Sequence, residues 1–559
     1  MIVDVMTNDF DEKKEHLGCG NVLVLLLIIV FTVAIRFPAL FEPWGGDQGV
    51  YGYIASGMLD GKVPYRDMYT STGYGVFFTY TLFFKLFGDN MMALHLGDLL
   101  SFLSTVILVY FITRLLYGNE CAAFAGIVAS LFGSGQAFSS MYDMKGAWGT
   151  YWQLAQRETF MTPLIAAAIF ISIFADRKKK LSLFFLVGIL LGLAVVFKLT
   201  AIGMVLILAL YLIYVEIFRN DGAGMKYCVY KISTMALGFI VIQLPFLNYF
   251  WMHDSLDAMY KAVFVHTSIY AKLSRGNIMA NAFQGNTYIL LENLTLWLFS
   301  FLSMIYLMAQ ERKRENYLVI AWTVGTLLMI WGQGKFFGYH YILIIAPFSV
   351  LTGFGIKQFL KVMSSWKASF LSAGKNVAQM CLWIFLLGNL IIFLENNYDY
   401  YRWHALYLSG EISKKKYYKV FNEYPLHMYS FRSDYDVVTY LRTYAEPEDS
   451  LRTINGGGDT IINYLSGLKS PTRFTSTWYL FNKHLYFDPL TTQLRQEFIE
   501  GVKKEKPDYI LLIYFSLDEL QEEYGTGKFN DMLQLITFIQ KEYMLEKSFR
   551  DSRTLYKRI

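Results

Sequence analysis

Between Val22 and Leu394 the chain returns again and again to apolar stretches close to the roughly 20 residues that carry an α-helix across a hydrocarbon core, and beyond Leu394 such stretches stop. A backbone in lipid must satisfy its own polar groups, so these runs can only be helices. The composition agrees: 55% hydrophobic, 17% charged, with a mean hydropathy of +0.33, too apolar for a soluble enzyme of 559 residues. The pattern predicts about eleven spans, at 21–40, 91–113, 120–140, 158–175, 181–197, 200–218, 232–250, 286–309, 317–333, 339–356 and 377–394. The expected fold class is an α-helical polytopic membrane protein, residues 1–395, followed by a soluble α/β domain, residues 396–559. The run from Asn21 reads as the first span rather than a cleaved signal. Mixed-charge DFDEKKEH precedes it, and no small-residue cleavage site follows.

With the N-terminus cytoplasmic, Arg114, DRKKK (Asp176 to Lys180), RNDGAGMKYCVYK (Arg219 to Lys231), ERKR (Glu311 to Arg314) and Lys357, Lys361, Lys367 and Lys375 all fall inside, as the positive-inside bias requires. The first loop (41–90), residues 141–157, the loop 251–285, GQGKFFG and the C-terminal domain then lie outside. The net charge of +5 is spread over short loops, which argues against a nucleic-acid partner. Cys19, Cys121, Cys228 and Cys381 all belong to the membrane part and suggest neither a disulfide framework nor a metal cluster. In the soluble domain, helical patterns in SDYDVVTYLRTYA, TTQLRQEFIEGVKKEKP and GKFNDMLQLITFIQKEYM alternate with strand-like DYILLIYF. NGGGD (Asn455 to Asp459) lacks phosphate-loop spacing and reads as a turn.

The first outer loop holds the densest chemistry. In WGGDQGVYGYIASGMLDGKVPYRDMYTSTGYG, residues 44–75, the apolar positions Tyr51, Ile54, Ala55, Met58 and Leu59 line one face of a short helix ended by Asp60-Gly61, and VFFTYTLFFKLFG supplies a second. Two such helices suit segments lying in the membrane interface. Asp47 stands at the start of the first. It reads either as an N-cap or as a carboxylate whose partial desolvation makes it a better base. Asp67, beside Arg66, reads either as a solvated loop acid or as a second catalytic acid.

The stretch EPWGGDQGVYGYIASGMLDGKVPYRDMY after a first helix resembles the large first loop of the GT-C fold glycosyltransferases that use polyprenyl-phosphate sugars, the group holding protein O-mannosyltransferases and bacterial aminoarabinose transferases. AQRETFMTPLIAAAIF (155–170), GLAVVFKLTAIG (192–203), GKFFGYHYILIIAPFSVL (334–351) and DYDVVTYLRTYAEPEDS with INYLSGLKSPTRF extend the resemblance, in order, over nearly the whole chain. It implies a GT-C fold and transfer of a hexose-like sugar from a polyprenyl-phosphate donor to a glycan, lipid or protein acceptor on the outer face of a bacterial cytoplasmic membrane. Many relatives carry Asp-Glu in the first loop, whereas Gln48 follows Asp47 here, so the base rests on Asp47 alone.

Such a transfer needs a base for the acceptor proton and cations for the departing phosphate. The phosphate leaves without protonation, so one carboxylate suffices where glycosidases need two. Inversion with Asp47 as base follows. Arg157, Lys198 and Lys335, near the outer ends of spans, are the candidate phosphate ligands, with His340 beside them; the plainer reading of the lysines is snorkelling to headgroups. Glu158 either neutralises Arg157 or orients hydroxyls. Trp44, Tyr51, Tyr65, Tyr69, Tyr74 and Tyr339 are candidate sugar or lipid contacts. His253, His266, Asp254 and Asp257 lack zinc-site spacing, so no tightly bound metal or cofactor is expected. Two other readings stay open. A lipid-linked saccharide transporter predicts mid-span charges and repeated halves, and a polysaccharide ligase or polymerase predicts a basic outer loop late in the bundle.

Overall fold

A computed structural model of the chain describes residues 18–135, 154–219, 224–275, 278–309, 313–365, 372–421, 430–454, 460–524, 527–550 and 552–559. The NGGGD turn, most of the loop 141–157 and much of the ERKR segment lie outside these residues. Among those described, six helices are long and apolar enough to cross a membrane: Cys19–Phe41, Met91–Tyr117, Arg157–Lys178, Leu199–Ile217, Gly224–Met252 and Gly338–Ser364. Shorter apolar helices at Gly75–Phe87, Asn119–Gly133 and Leu181–Phe197 accompany them. Leu23, Val30, Leu237 and Ile305 are each more than half exposed, as lipid-facing side chains should be. The protein is a multi-pass membrane protein.

Glycine sets a close helix crossing. A Cβ on Gly188 would stand 1.9 Å from the Met235 carbonyl oxygen, and one on Gly238 would stand 2.0 Å from that of Phe185, so Leu181–Phe197 and Gly224–Met252 pack backbone to backbone. The expected single span at 286–309 is instead two helices, Ile278–Glu292 and Leu294–Ala309, bent by 97°. Asn293 sits buried at the break, and its side-chain amide donates to the Ile289 carbonyl at 3.0 Å. A side chain inserted into the helical ladder is a recognised cause of a sharp kink.

The first-loop helix starts earlier than its apolar pattern suggests, running Gly46–Leu59, and Asp60 with Gly61 (φ 83°) ends it. It does not lie with one face open. Gly49, Gly52, Ile54 and Ala55 are all buried, because Gly75–Phe87 covers one side and the soluble domain the other. A Cβ on Gly49 would stand 2.6 Å from the Cβ of Ile461. The STGYG turn is equally tight: a Cβ on Gly73 would stand 2.4 Å from the Phe197 carbonyl oxygen, which brings the loop onto the backbone beside Lys198.

The soluble domain holds a four-stranded sheet of β1 (Leu451–Ile454), β2 (Tyr509–Ile513), β3 (Tyr543–Phe549) and β4 (Arg553–Arg558) in the order β1-β2-β4-β3. β1 and β2 are parallel, pairing Leu451 with Tyr509, and the other pairs are antiparallel. Both parallel strands are buried along their length, as helices on both faces require. Phe431–Tyr444, Pro489–Glu505 and Asn530–Glu542 are the helices read from the sequence. The domain is tied to the first loop through Tyr69, whose N–H donates to the Arg473 carbonyl at 2.6 Å, and through Arg473, whose guanidinium donates to the Tyr65 carbonyl at 2.9 Å.

Candidate active site

Asp47 is in the first turn of Gly46–Leu59, and the N-cap position belongs to Gly45, so the capping reading falls away. Gln48 satisfies that end of the helix. Its side-chain oxygen accepts from the Gly45 N–H at 2.7 Å, and its amide donates to the Leu154 carbonyl at 2.6 Å. Gln48 is a fully buried amide that fastens the loop to the entrance of Arg157–Lys178.

The Asp47 carboxylate accepts no hydrogen bond from any described residue. Burial raises its pKa, while Arg157, Lys198 and Lys335 pull it back down and Glu158 opposes them. Five charged side chains from four separate segments therefore act on one another: the first loop, the start of Arg157–Lys178, the junction at Lys198, and GKFFG. Three cations stand against two carboxylates.

The cations are not equivalent. Lys198 donates to Glu158 in a short ion pair and to the side-chain oxygen of Gln333 at 2.6 Å, so its charge is largely committed. Among the described residues Arg157 and Lys335 are in no ion pair. The Arg157 Nε is buried without a hydrogen-bond partner among the described residues, and Lys335 Nζ stands 3.0 Å from the centre of the Tyr270 ring. Burial, and then Lys198 and Arg157, push the Lys335 pKa well below that of a free lysine. His340 is buried with its Nε2 3.9 Å from Glu158 Oε1, packed against Phe337 and Tyr339. Glu158 Oε2, His340 Nδ1 and Gln333 Nε2 are likewise buried without partners among the described residues. Leaving a buried polar group unpaired costs about 1–3 kcal/mol. Several in one place mark a site that something else completes.

Of the predicted aromatic contacts, Tyr51, one turn beyond Asp47, and Tyr339 lie within the electrostatic reach of Arg157, Glu158 and Asp47. The others are committed elsewhere. Trp44 donates to the Met91 carbonyl at 3.1 Å and packs on Phe84 and Tyr464. Tyr65 donates to the Thr72 carbonyl at 2.6 Å, Tyr69 shares a 3.1 Å bond with His266 Nδ1, and Tyr74 donates to Gln243 at 3.3 Å. These rings build the loop. Asp67 is not brought to the cluster: it accepts from Arg66 at 2.9 Å and from the Val63 N–H at 2.8 Å, and Arg66 holds its pKa below the usual carboxylate value. Gln333 escaped the sequence reading. Its signal was a polar residue at the end of an apolar run, two positions before Lys335.

Residues 72–246 match the family model described as dolichyl-phosphate-mannose-protein mannosyltransferase. No curated protein matches the sequence. Among solved structures, ArnT from Cupriavidus metallidurans bound to undecaprenyl phosphate is 13% identical, with 96% of this chain and 98% of that one covered at a TM-score of 0.53. Its apo state gives 13%, 96%, 97% and 0.52. The archaeal oligosaccharyltransferase AglB from Archaeoglobus fulgidus, in complex with an inhibitory peptide and a dolichol-phosphate, gives 12% identity, 96% and 74% coverage and 0.50. The likeness to these structures identifies the fold as the GT-C fold, and the mannosyltransferase family model matches residues 72–246 within it.

Proposed function

We propose that this protein is a glycosyltransferase that moves a hexose-like sugar from a polyprenyl-phosphate donor to a hydroxyl-bearing acceptor (a glycan, a lipid or a protein) on the outer face of a bacterial cytoplasmic membrane, with inversion. The observation that carries the reading is the Asp47 carboxylate, without a hydrogen bond from any described residue and within the electrostatic reach of Arg157, Lys198 and Lys335, of which Arg157 and Lys335 are in no ion pair among the described residues. The polyprenyl and dolichol phosphates bound to the structural relatives support a lipid-phosphate donor.

In this mechanism Arg157 and Lys335 take the donor phosphate, which meets unpaired charge there, while Lys198 is held back by Glu158. The acceptor oxygen attacks the anomeric carbon from the face opposite the phosphate. Its proton passes to Asp47, the new glycosidic bond forms, the bond to the phosphate oxygen breaks, and polyprenyl phosphate departs with that electron pair. Glu158 and His340 line the side where sugar hydroxyls lie.

The test is transfer of radiolabelled sugar by purified protein from a panel of synthetic polyprenyl-phosphate monosaccharides, wild type against Asp47→Asn. Loss of turnover with donor binding kept supports both the reaction class and the base. Undiminished transfer by the variant removes Asp47 from the chemistry, and failure to bind or consume any donor brings the ligase and transporter readings forward.

A further inference from the structure

Lys198 fixes the orientation of two neighbours. An ammonium only donates hydrogen bonds, so the Gln333 atom 2.6 Å from Lys198 Nζ must be the carboxamide oxygen, and the NH2 group must point away. That NH2 is buried and meets no partner among the described residues. On the other side Glu158, its side chain fully buried, gives one oxygen to Lys198 and leaves the second buried and unmatched. One lysine thus displays an obligate donor, Gln333 Nε2, and an obligate acceptor, Glu158 Oε2, with His340 Nδ1 a third unmatched atom close by.

We propose, resting on the transfer reaction above, that Gln333 and Glu158 form a specificity pair that reads neighbouring hydroxyls of the donated sugar and rejects sugars bearing an ammonium at that edge. A hydroxyl both donates and accepts, so two adjacent hydroxyls satisfy both groups at once. An ammonium suits Glu158 but turns a donor toward the Gln333 NH2. Sites built around a hydroxyl discriminate strongly because a mismatched ligand leaves buried polar groups unpaired. Gln333 is thereby the residue that sets the substrate class to neutral hexoses over amino-sugars.

The experiment measures kcat/KM of the full-length protein for a polyprenyl-phosphate hexose and for counterparts in which an amine replaces one ring hydroxyl. Wild type is expected to favour the hexose by at least about tenfold against one of these amino donors. Gln333→Glu, which replaces the donor with a second acceptor, should cut that ratio by about tenfold or invert it. Should that variant fail to fold, Gln333→Met serves: it should lower the hexose value while leaving the amino donor nearly unchanged. An equal loss for both donors, a ratio unmoved, would reduce Gln333 to a prop for Lys198 and overturn the proposal, as would wild type that uses every amino donor as well as the hexose. If wild type consumes neither kind, it is the transfer reading beneath that fails, a result distinct from an unchanged ratio.

Discussion

The ammonium of Lys335 stands 3.0 Å from the centre of the Tyr270 ring, with Phe337 at 5.9 Å on its flank. A ring face attracts a cation but does not neutralise it. Burial and the nearby Lys198 and Arg157 charges hold the Lys335 pKa well below the ordinary 10.5. A bound phosphate reverses that balance. Between the depressed and ordinary values, phosphate binding therefore favours the protonated lysine and draws a proton in. Above the second pKa of a phosphate monoester, about 6, the ligand is already fully ionised, so any proton taken up goes from solvent to the protein. Calorimetry with a short-chain polyprenyl phosphate in buffers of different ionisation enthalpy should show net proton uptake, with affinity falling as pH rises. Lys335→Met should abolish the uptake and weaken binding.

Asp47 titrates in the opposite functional sense. Its folded pKa lies above the ordinary 3.8 because burial outweighs the three cations. A base works only when ionised, so kcat/KM should fall with decreasing pH through that raised value. The same shift means that protonating Asp47 favours the folded state, and its contribution to stability grows as pH drops through the folded pKa. Asp47→Asn should lower kcat by about 10²- to 10⁴-fold and flatten the acid limb, while donor phosphate binds at least as tightly beside the same cations. A pH–rate profile of the variant's residual activity that keeps the wild-type limb would assign the limb to another group.

Most of what could be read in advance followed from periodicity and loop charge. The apolar runs marked the helices, and a carboxylate in the glycine-rich first loop made Asp47 a candidate. What escaped depends on contacts between distant segments. The bend near Asn293 turns on one amide donating back to Ile289, which hydropathy cannot register. One side of Gly46–Leu59 is buried by the soluble domain, where Ile461 stands against Gly49 from more than 400 residues away. Lys198 and Lys335 look alike in sequence, and only the positions of Glu158 and Gln333 show that one is committed and the other is not.

The Glu158–Lys198 pair is the main internal charge contact of the site, with side-chain exposures of 0% and 14%. Removing one partner of a buried pair strands the other charge and typically costs about 3–5 kcal/mol. Glu158→Gln and Lys198→Met should each destabilise the protein on that scale in denaturant unfolding in detergent. The double variant should lose clearly less than the two losses combined, because no charge is left stranded. Additive losses would mean that the two side chains act independently.

Trp44 offers the sharpest test of how the loop is held. Its ring packs on Tyr464 with centroids 4.6 Å apart and on Phe84 at 6.1 Å, and its indole N–H is bound to the Met91 carbonyl, so it has nowhere to retreat. A Cβ on Gly52 would stand 2.3 Å from that ring. Gly52→Ala should therefore destabilise the protein by about 1–3 kcal/mol, the usual range for overpacking, even though alanine is the better helix former. Since Trp44 lies three residues before Asp47, the strain should also lower kcat more than it raises KM. Trp44→Phe, whose smaller ring vacates the clashing edge, should recover part of both losses in the Gly52→Ala background while being harmful alone through the lost Met91 bond. Unfolding and turnover measured on the four members of this cycle decide it: recovery locates the fault at the ring, and simple addition would place it elsewhere along Gly46–Leu59.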